Sequence, residues 1–457
     1  MKVAISQRVV RQASEPAYEV RIPDVGIFQY LELPLDDFCR YFGRREDVAN
    51  DLLLVTGSCY LIDQLIPRSL FKNNWTRELE VEIPVSEPDL WTTNAEQLNA
   101  TCSFLTGDVW SFTFVKQERR VFGMPYRRLR RKSLGRVIAV SLFSGGLDSF
   151  IGATDWLTAN NGRLALVGHY DLGSSAKALQ KRLADRLGIE YPNRLSLIQA
   201  RVGGAIRHQA RTSIYSQVTS SPKESTLRSR SLVFLALGLY VARRLSPTEP
   251  IPLLIPENGF IALNPPLTRS RLGGCSTRTA HPLFLENFAT LAVRLGVHNP
   301  ILNPLGACTK GETIQQAANF ELVKNLASHT VSCAHPTRRQ TWVRRDKNNC
   351  GYCIPCILRR AAMHKVGLDN GQDYGIDVCS GELELDEDKA SDLRAVLNWL
   401  YEVRTGAFNP ELEAETMALP ETARPSAKHI LAAGAAEILQ FFKDKGQPSI
   451  LDWAELN

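Results

Sequence analysis

The sequence predicts an α/β protein built on a doubly wound parallel sheet, with an α+β region before it and a helical region after it. Three observations carry this. From residue 136 onward, short apolar strands alternate with amphipathic helices, the order that builds parallel sheets. A glycine-rich turn joins the first of these strands to the first helix. The preceding residues are mixed, with one helical stretch and two of period-2 alternation, and the final ones show helical spacing.

In the first region, Asp47 to Ile66 carries apolar residues at Leu52, Leu53, Val55, Cys59, Leu61 and Leu65, which predicts a helix. Glu78 to Val85 alternates as a strand, and so does Val109 to Val115, with Trp110, Phe112 and Phe114 on one face. No catalytic motif lies here. A basic stretch follows from Arg119 to Arg136 without an acidic residue. It reads either as a solvated linker or as a patch for polyphosphate, RNA or an acidic partner.

The central region opens with the apolar strand Arg136 to Phe143. A helix from Phe150 to Thr158, a strand from Ala165 to Tyr170 and a helix from Ser175 to Leu187 follow, the last with Gly188 as its expected stop. Ser231 to Arg244 reads as a buried helix and Pro252 to Pro256 as a third strand. In the last region the acidic run Glu382 to Asp388 is expected to begin a helix, with further helices at Ser391 to Thr405 and Ala427 to Lys443. The expected divisions are 1–130, 136–378 and 379–457.

Length and composition agree. At roughly 100–200 residues per domain, 457 residues allow about two to four domains. With 44% hydrophobic and 22% charged residues, collagen-like, coiled-coil and wholly disordered chains are excluded. The net charge of +6 permits an anionic ligand without requiring nucleic acid. Met1 to Arg11 is polar, and the longest apolar run, Leu232 to Ala242, is too short for a membrane span. The expectation is a cytoplasmic protein with no membrane partner.

Two motifs carry chemistry. In Ser144-Gly145-Gly146-Leu147-Asp148-Ser149, two glycines let backbone N–H groups approach an anion at a helix start. Ser144 and Ser149 add hydroxyl donors, and Asp148 offers a carboxylate for loop order or Mg²⁺. The motif is neither the Walker pattern nor the dinucleotide fingerprint. On residue types alone it is also compatible with a tight turn capped by serine. The second motif is Cys333, Cys350, Cys353 and Cys356, whose spacing suits a tetrahedral zinc site. Reduced core cysteines and an iron–sulfur cluster are the alternatives, with His335 as a competing ligand.

Ser-Gly-Gly-x-Asp-Ser after a buried strand resembles the PP-loop (HUP-like) ATP pyrophosphatases, which cleave ATP between its α and β phosphates to activate an oxygen as an adenylate. Together with the cysteines it resembles the QueC family, the 7-cyano-7-deazaguanine synthases. That resemblance runs through the turn His169-Tyr170-Asp171, Arg228 to Leu232, Thr309-Lys310-Gly311-Glu312 and the zinc knuckle with its trailing Arg359. It spans roughly Arg136 to Tyr374. Ser231 replaces the family's Asn, and Glu257-Asn258-Gly259 diverges.

The resemblance implies ATP, Mg²⁺ and Zn²⁺ as cofactors and 7-carboxy-7-deazaguanine as substrate. It gives Tyr170 with the Ser144–Ser149 loop as the ATP contacts, and Asp148, Lys310 and Arg230 as the catalytic group. Lys310 as a solvated helix-start residue and Arg230 as a structural ion pair are the plainer readings. The enlarged layout resembles the QueC-like proteins of anti-phage defence, in Qat operons and type IV CBASS. That likeness implies a protein acceptor, with the first region docking it or merely covering a sheet edge. A nucleotide-sensing subunit without turnover and a tRNA-modifying enzyme remain the readings from other classes.

Overall fold

The computed structural model describes residues 1–8, 17–44, 47–118, 132–171, 175–204, 224, 228–267, 278–336 and 338–456. Most of the basic stretch, residues 119–131, lies outside them, as does Cys275. The strands are β1 (Lys2–Arg8), β2 (Ala17–Ile22), β3 (Ile27–Glu32), β4 (Glu78–Val85), β5 (Val109–Lys116), β6 (Val137–Leu142), β7 (Arg163–His169), β8 (Leu195–Ala200), β9 (Gly203–Gly204), β10 (Leu253–Leu254) and β11 (Ile301–Leu302).

They form two sheets. The first is mixed, ordered β5-β4-β1-β2-β3-β9, with β5, β4 and β1 parallel and the remainder antiparallel. Its faces follow the alternation of the sequence. Leu79, Val81 and Ile83 of β4 are buried, and the glutamates between them are exposed. On β5 the inward rings stack in series, Trp110 on Phe112 at 5.5 Å and Phe112 on Phe114 at 6.2 Å.

The second sheet is all parallel, ordered β11-β10-β6-β7-β8. Successive side chains along a strand point to opposite faces, so this sheet feeds two cores. Val140, Leu142, Ala165 and Val167 join the core shared with the first sheet. Ala139, Leu164 and Leu166 join a second core with Phe150 and Leu183. The first core is continuous from β1 through the helix Val48–Leu65 to the helix Arg230–Leu245. Both helices are apolar on nearly every face, which requires burial on every face. A third core holds three of the clustered cysteines and the C-terminal helices Ser391–Thr405 and Arg424–Lys445. No helix among the described residues is long and apolar enough to cross a membrane.

Three expectations need correction. Gly188 does not stop its helix, which runs Ala176–Glu190 and closes with Tyr191 N–H donating to the Leu187 carbonyl at 2.8 Å. Gly188 lacks the positive φ of a helix-terminating glycine, so it costs helix propensity without breaking the ladder. The first helix of the central region starts at Leu147 rather than Phe150, because the turn uses only Gly145 and Gly146. The acidic run is not helical before Asp388. Glu382 is held by Arg344 at 2.8 and 2.6 Å, and the Glu387 carboxylate accepts from the Glu384 N–H at 3.1 Å. Such local bonds compete with helix formation.

Candidate functional site

In the second sheet the chain runs β6, β7, β8 in one direction and then returns to β10 and β11 on the other side of β6. The connections therefore diverge between β6 and β10, where open α/β sheets form their ligand crevice at the strands' carboxyl ends. Every candidate residue outside the cysteine cluster stands at that end, or on a segment packed against it. Phe143 to Gly146 follow β6, Tyr170 and Asp171 follow β7, Glu257 and Asn258 follow β10, and Lys310 follows β11.

The loop after β6 has the geometry of an anion cradle. Gly145 has φ +87°, which disfavours any other residue, and a Cβ there would meet Leu179 Cδ2 at 2.9 Å. Gly146 caps the helix Leu147–Ala159. Its N–H donates to Ser144 Oγ at 3.2 Å, and the Leu147 N–H reaches Ser332 Oγ at 3.5 Å. Ser144 Oγ and Ser149 Oγ are 3.2 Å apart. These weak hydroxyl partners occupy donors that phosphate oxygens would take over at a helix N-terminus.

Asp148 is buried, and its carboxylate gathers the second half of the site. Oδ2 accepts from Lys310 Nζ at 2.5 Å and from Asn258 Nδ2 at 3.2 Å. The same Asn258 amide donates to Glu257 Oε1 at 3.2 Å, so one side chain bridges two carboxylates. Oδ1 of Asp148 is buried without a hydrogen-bond partner. Burial works to raise Asp148, and the Lys310 charge together with the hydrogen bonds to this carboxylate outweighs it, holding the carboxyl below its ordinary range. Glu257 is pushed well up, by burial first and by the Asp148 charge second. Lys310 is buried, which removes the reading of a solvated lysine. Its segment is braced by Thr309, which forms a capping box with Glu312, and by Glu437 of the C-terminal helix, which accepts from the Gly311 N–H at 3.2 Å.

Arg230 stands apart from this group, opening its helix and pairing with Asp171 at 3.5 Å. Tyr170 immediately precedes Asp171, with Lys177 Nζ over its ring at 4.6 Å.

The four cysteines converge. One sulfur from each lies within 4.8 Å of the others. Cys350 Sγ and Cys356 Sγ are 3.7 Å apart, close to the ~3.8 Å that four ~2.3 Å bonds to one tetrahedral zinc impose. All four are free thiols, too far apart for a disulfide. Cys333 sits far below the ordinary thiol range because Cys350, Cys353 and Cys356 hydrogen-bond to it. Cys353 is pushed up by its bond to Cys333, and Cys356 by burial. A divalent cation would let all four ionise, so the donor set fits zinc. His335 is outside the set: its N–H donates to Cys333 Sγ at 3.2 Å and its ring stacks on Tyr352.

The cysteine site and the loop are mechanically joined. The Val331 N–H donates to the Gly145 carbonyl at 3.0 Å. Arg359, on the helix that carries Cys356, donates to Thr330 Oγ1 at 2.8 Å and to Ser332 Oγ at 3.4 Å. Ser332 thus connects Arg359 to the Leu147 amide.

Residues 280–367, which include Lys310, Ser332, the four cysteines and Arg359, match the family model described as "Queuosine biosynthesis protein QueC". A 7-cyano-7-deazaguanine synthase from Novosphingobium aromaticivorans is 28% identical over 242 residues, which cover 52% of this chain and 94% of the relative. The chain is a QueC-like protein. No solved structure matches it.

Sequence reasoning on this QueC-like protein passed over Glu257, Asn258 and Ser332 as participants. Their signal was positional. Glu257 and Asn258 stand just beyond the apolar Leu253–Ile255, where a parallel strand delivers side chains to the crevice.

The paired carboxylates give a testable pH dependence. A glutamate raised in the folded state stabilises below its unfolded value, near 4.5, and loses that contribution as pH rises through its folded value. In magnesium-free buffer, Glu257→Gln is expected to melt above the parent at pH 8, with the gap closing toward pH 4. Thermal melts across that range check it, and a gap that widens on acidification contradicts the assignment.

Proposed function

We propose that this chain uses ATP to adenylate the carboxylate of a 7-deazaguanine, 7-carboxy-7-deazaguanine, releasing pyrophosphate, and that an amine then displaces AMP to form an amide. The observation that carries this is the Ser144–Ser149 loop at the point where the strand order reverses, with Asp148 paired to Lys310 beneath it. In this reading the loop is a PP-loop. The Gly146 and Leu147 amides and the serine hydroxyls hold the phosphate chain, and Tyr170 borders the nucleotide. Lys310 and Arg230 face the oxygens on which charge develops, supplying electrostatic stabilisation rather than covalent chemistry. Asp148 Oδ1 and Glu257 are the oxygens that would hold Mg²⁺, which would neutralise phosphate charge there.

For the acceptor we propose an amine of a partner protein, as in the defence-associated QueC-like proteins. The support is architectural: residues 1–130 and 379–457 flank the QueC-like part, 136–378, and carry no candidate chemistry of their own. A second reading has ammonia as the acceptor and a nitrile as the product. The synthase relative favours it.

The full-length protein incubated with ATP and 7-carboxy-7-deazaguanine should release AMP and pyrophosphate, not ADP and inorganic phosphate. Ammonium chloride and, separately, proteins encoded beside the gene then serve as acceptors, with mass spectrometry of each product. ADP formation, or no deazaguanine-dependent turnover, refutes the adenylation reading. Modification with ammonium alone decides the acceptor against a protein.

A further inference from the structure

Arg230 opens its helix and pairs with Asp171, which follows β7 at the carboxyl end of the sheet, yet much of what fixes it comes from the N-terminal helix Val48–Leu65. Two residues of that helix, Tyr60 and Asp63, are three apart and therefore on one face. Tyr60 is fully buried, and its hydroxyl donates to Asp171 Oδ1 at 3.1 Å. The other oxygen of that carboxylate pairs with Arg230 at 3.5 Å. Asp171 is thereby oriented from one side by Tyr60 and presented to Arg230 on the other. A second path runs through rings: Tyr60 meets His169 edge-on at 5.9 Å, His169 meets Phe234 at 5.3 Å, and the Arg230 guanidinium lies over Phe234 at 5.3 Å.

Asp63 acts one turn further along. Its Oδ2 accepts from both the N–H and the hydroxyl of Ser229, at 2.9 and 2.8 Å. Ser229 immediately precedes Arg230, so this clamp sets where the Arg230 helix begins. Asp63 is itself fixed by Arg77 at 2.5 Å in a fully buried pair. Arg230 keeps 38% of its side-chain surface exposed, and its Nε is buried without a hydrogen-bond partner. A charged side chain held at both its backbone and its counter-ion, with part of its surface still open, is preorganised for an anionic group.

We propose that Tyr60 and Asp63 are positioning residues for Arg230, so that the N-terminal part completes the ligand-binding crevice rather than acting only as a detachable module. This rests on the reading of Arg230 as a residue that meets an anionic oxygen of ATP or of the deazaguanine acid. Tyr60→Phe is the informative variant, because it removes one hydroxyl and keeps the ring packing, whereas altering Asp63 breaks a fully buried charge network in which Arg77 also holds Asp108.

The readout is equilibrium affinity, by calorimetry on the full chain, for a non-hydrolysable ATP analogue and for 7-carboxy-7-deazaguanine. Four proteins are compared: parent, Tyr60→Phe, Arg230→Ala and the double variant. Arg230→Ala is expected to weaken one of the two ligands by about tenfold or more. Tyr60→Phe is expected to weaken the same ligand about 3- to 10-fold. In the Arg230→Ala background it should weaken that ligand no further, while its effect on the melting temperature persists in both backgrounds. If Arg230→Ala weakens a ligand and Tyr60→Phe does not, or costs the same affinity in both backgrounds, Tyr60 is structural and the inference is overturned. If Arg230→Ala leaves both affinities unchanged, the reading of Arg230 falls, and this inference with it.

Discussion

Replacing Cys350 by serine should cost the protein the zinc its four cysteines fit, the packing around that site and the proposed adenylation activity together. Elemental analysis of the parent is expected to find about one zinc per chain, and of the variant close to none. The size of the effect follows from the site's place in the fold. Cys350, Cys353 and Cys356 are buried among Trp342, Ile357, Ile376 and Val378 in the same core as the C-terminal helices. Structural zinc bound by a small thiolate site is worth roughly 10–16 kcal/mol of apparent binding free energy near neutral pH, a sum comparable to the stability of a whole domain. The loss should reach the Ser144–Ser149 loop because Ser332 and Arg359, which steady the Leu147 amide, are carried by the segments that a metal on the four cysteines would join. Pyrophosphate release should therefore fall by more than about 100-fold, a loss of more than ~2.7 kcal/mol in transition-state stabilisation. Iron with visible absorbance in the parent, or a metal-free variant that keeps normal turnover, would refute the assignment.

The loop and the cysteines were legible because each is a local pattern whose spacing narrows its physical uses. An apolar strand followed by Ser-Gly-Gly places amides at a helix start, and four closely spaced thiols suit one tetrahedral ion. The helix Val48–Leu65 was legible for a similar reason, with Asp47 as its cap at 3.0 Å to the Ala49 N–H. What the sequence concealed depends on distant pairing. β1, β2 and β3 are short, and although Tyr18, Val20 and Ile22 of β2 alternate with polar residues, the pairing of these strands to β4 and to the two-residue β9 is settled by the shared core. β10 lies within the expected strand Pro252 to Pro256, whereas β11 contributes only two ladder residues, too few to show a period.

The same distinction separates the site residues. Asp148 was visible inside its motif, whereas its partners come from 110 residues away at Asn258 and 162 residues away at Lys310. Lys310 was legible only through family likeness. Glu257 stood in a segment that departs from the family, and likeness there concealed what the strand end revealed. The N-terminal region misled in the other direction. It lacks a motif, yet it shares one continuous core with the parallel sheet and places Tyr60 against Asp171.

Lys310→Met should be destabilised by about 3–5 kcal/mol at pH 7, and Asp148→Asn combined with it should recover much of that loss while remaining inactive. Methionine keeps the length and packing of the lysine stem but leaves the Asp148 charge buried against Asn258 and Glu257 alone. In the parent, Lys310 holds Asp148 below its ordinary value near 3.8. A carboxylate lowered in this way adds stability above its unfolded value and loses it as pH falls through its folded value. Without Lys310, burial is left to act and raises Asp148, so the deficit of the single variant should shrink as pH falls toward 4. The double variant removes charge from both partners and should melt close to the parent at either pH. Turnover separates the structural role from the chemical one. If Asp148 and Lys310 act on phosphate charge, both the single and the double variants should lose pyrophosphate release by at least about 100-fold, and so should Asp148→Ala. Melts at pH 7 and pH 4 together with pyrophosphate assays on the four proteins decide the matter. A deficit in Lys310→Met that does not change with pH would remove the ion pair from the account. A double variant that regains turnover along with its fold would make Lys310 a structural partner of Asp148 and leave phosphate charge to other groups.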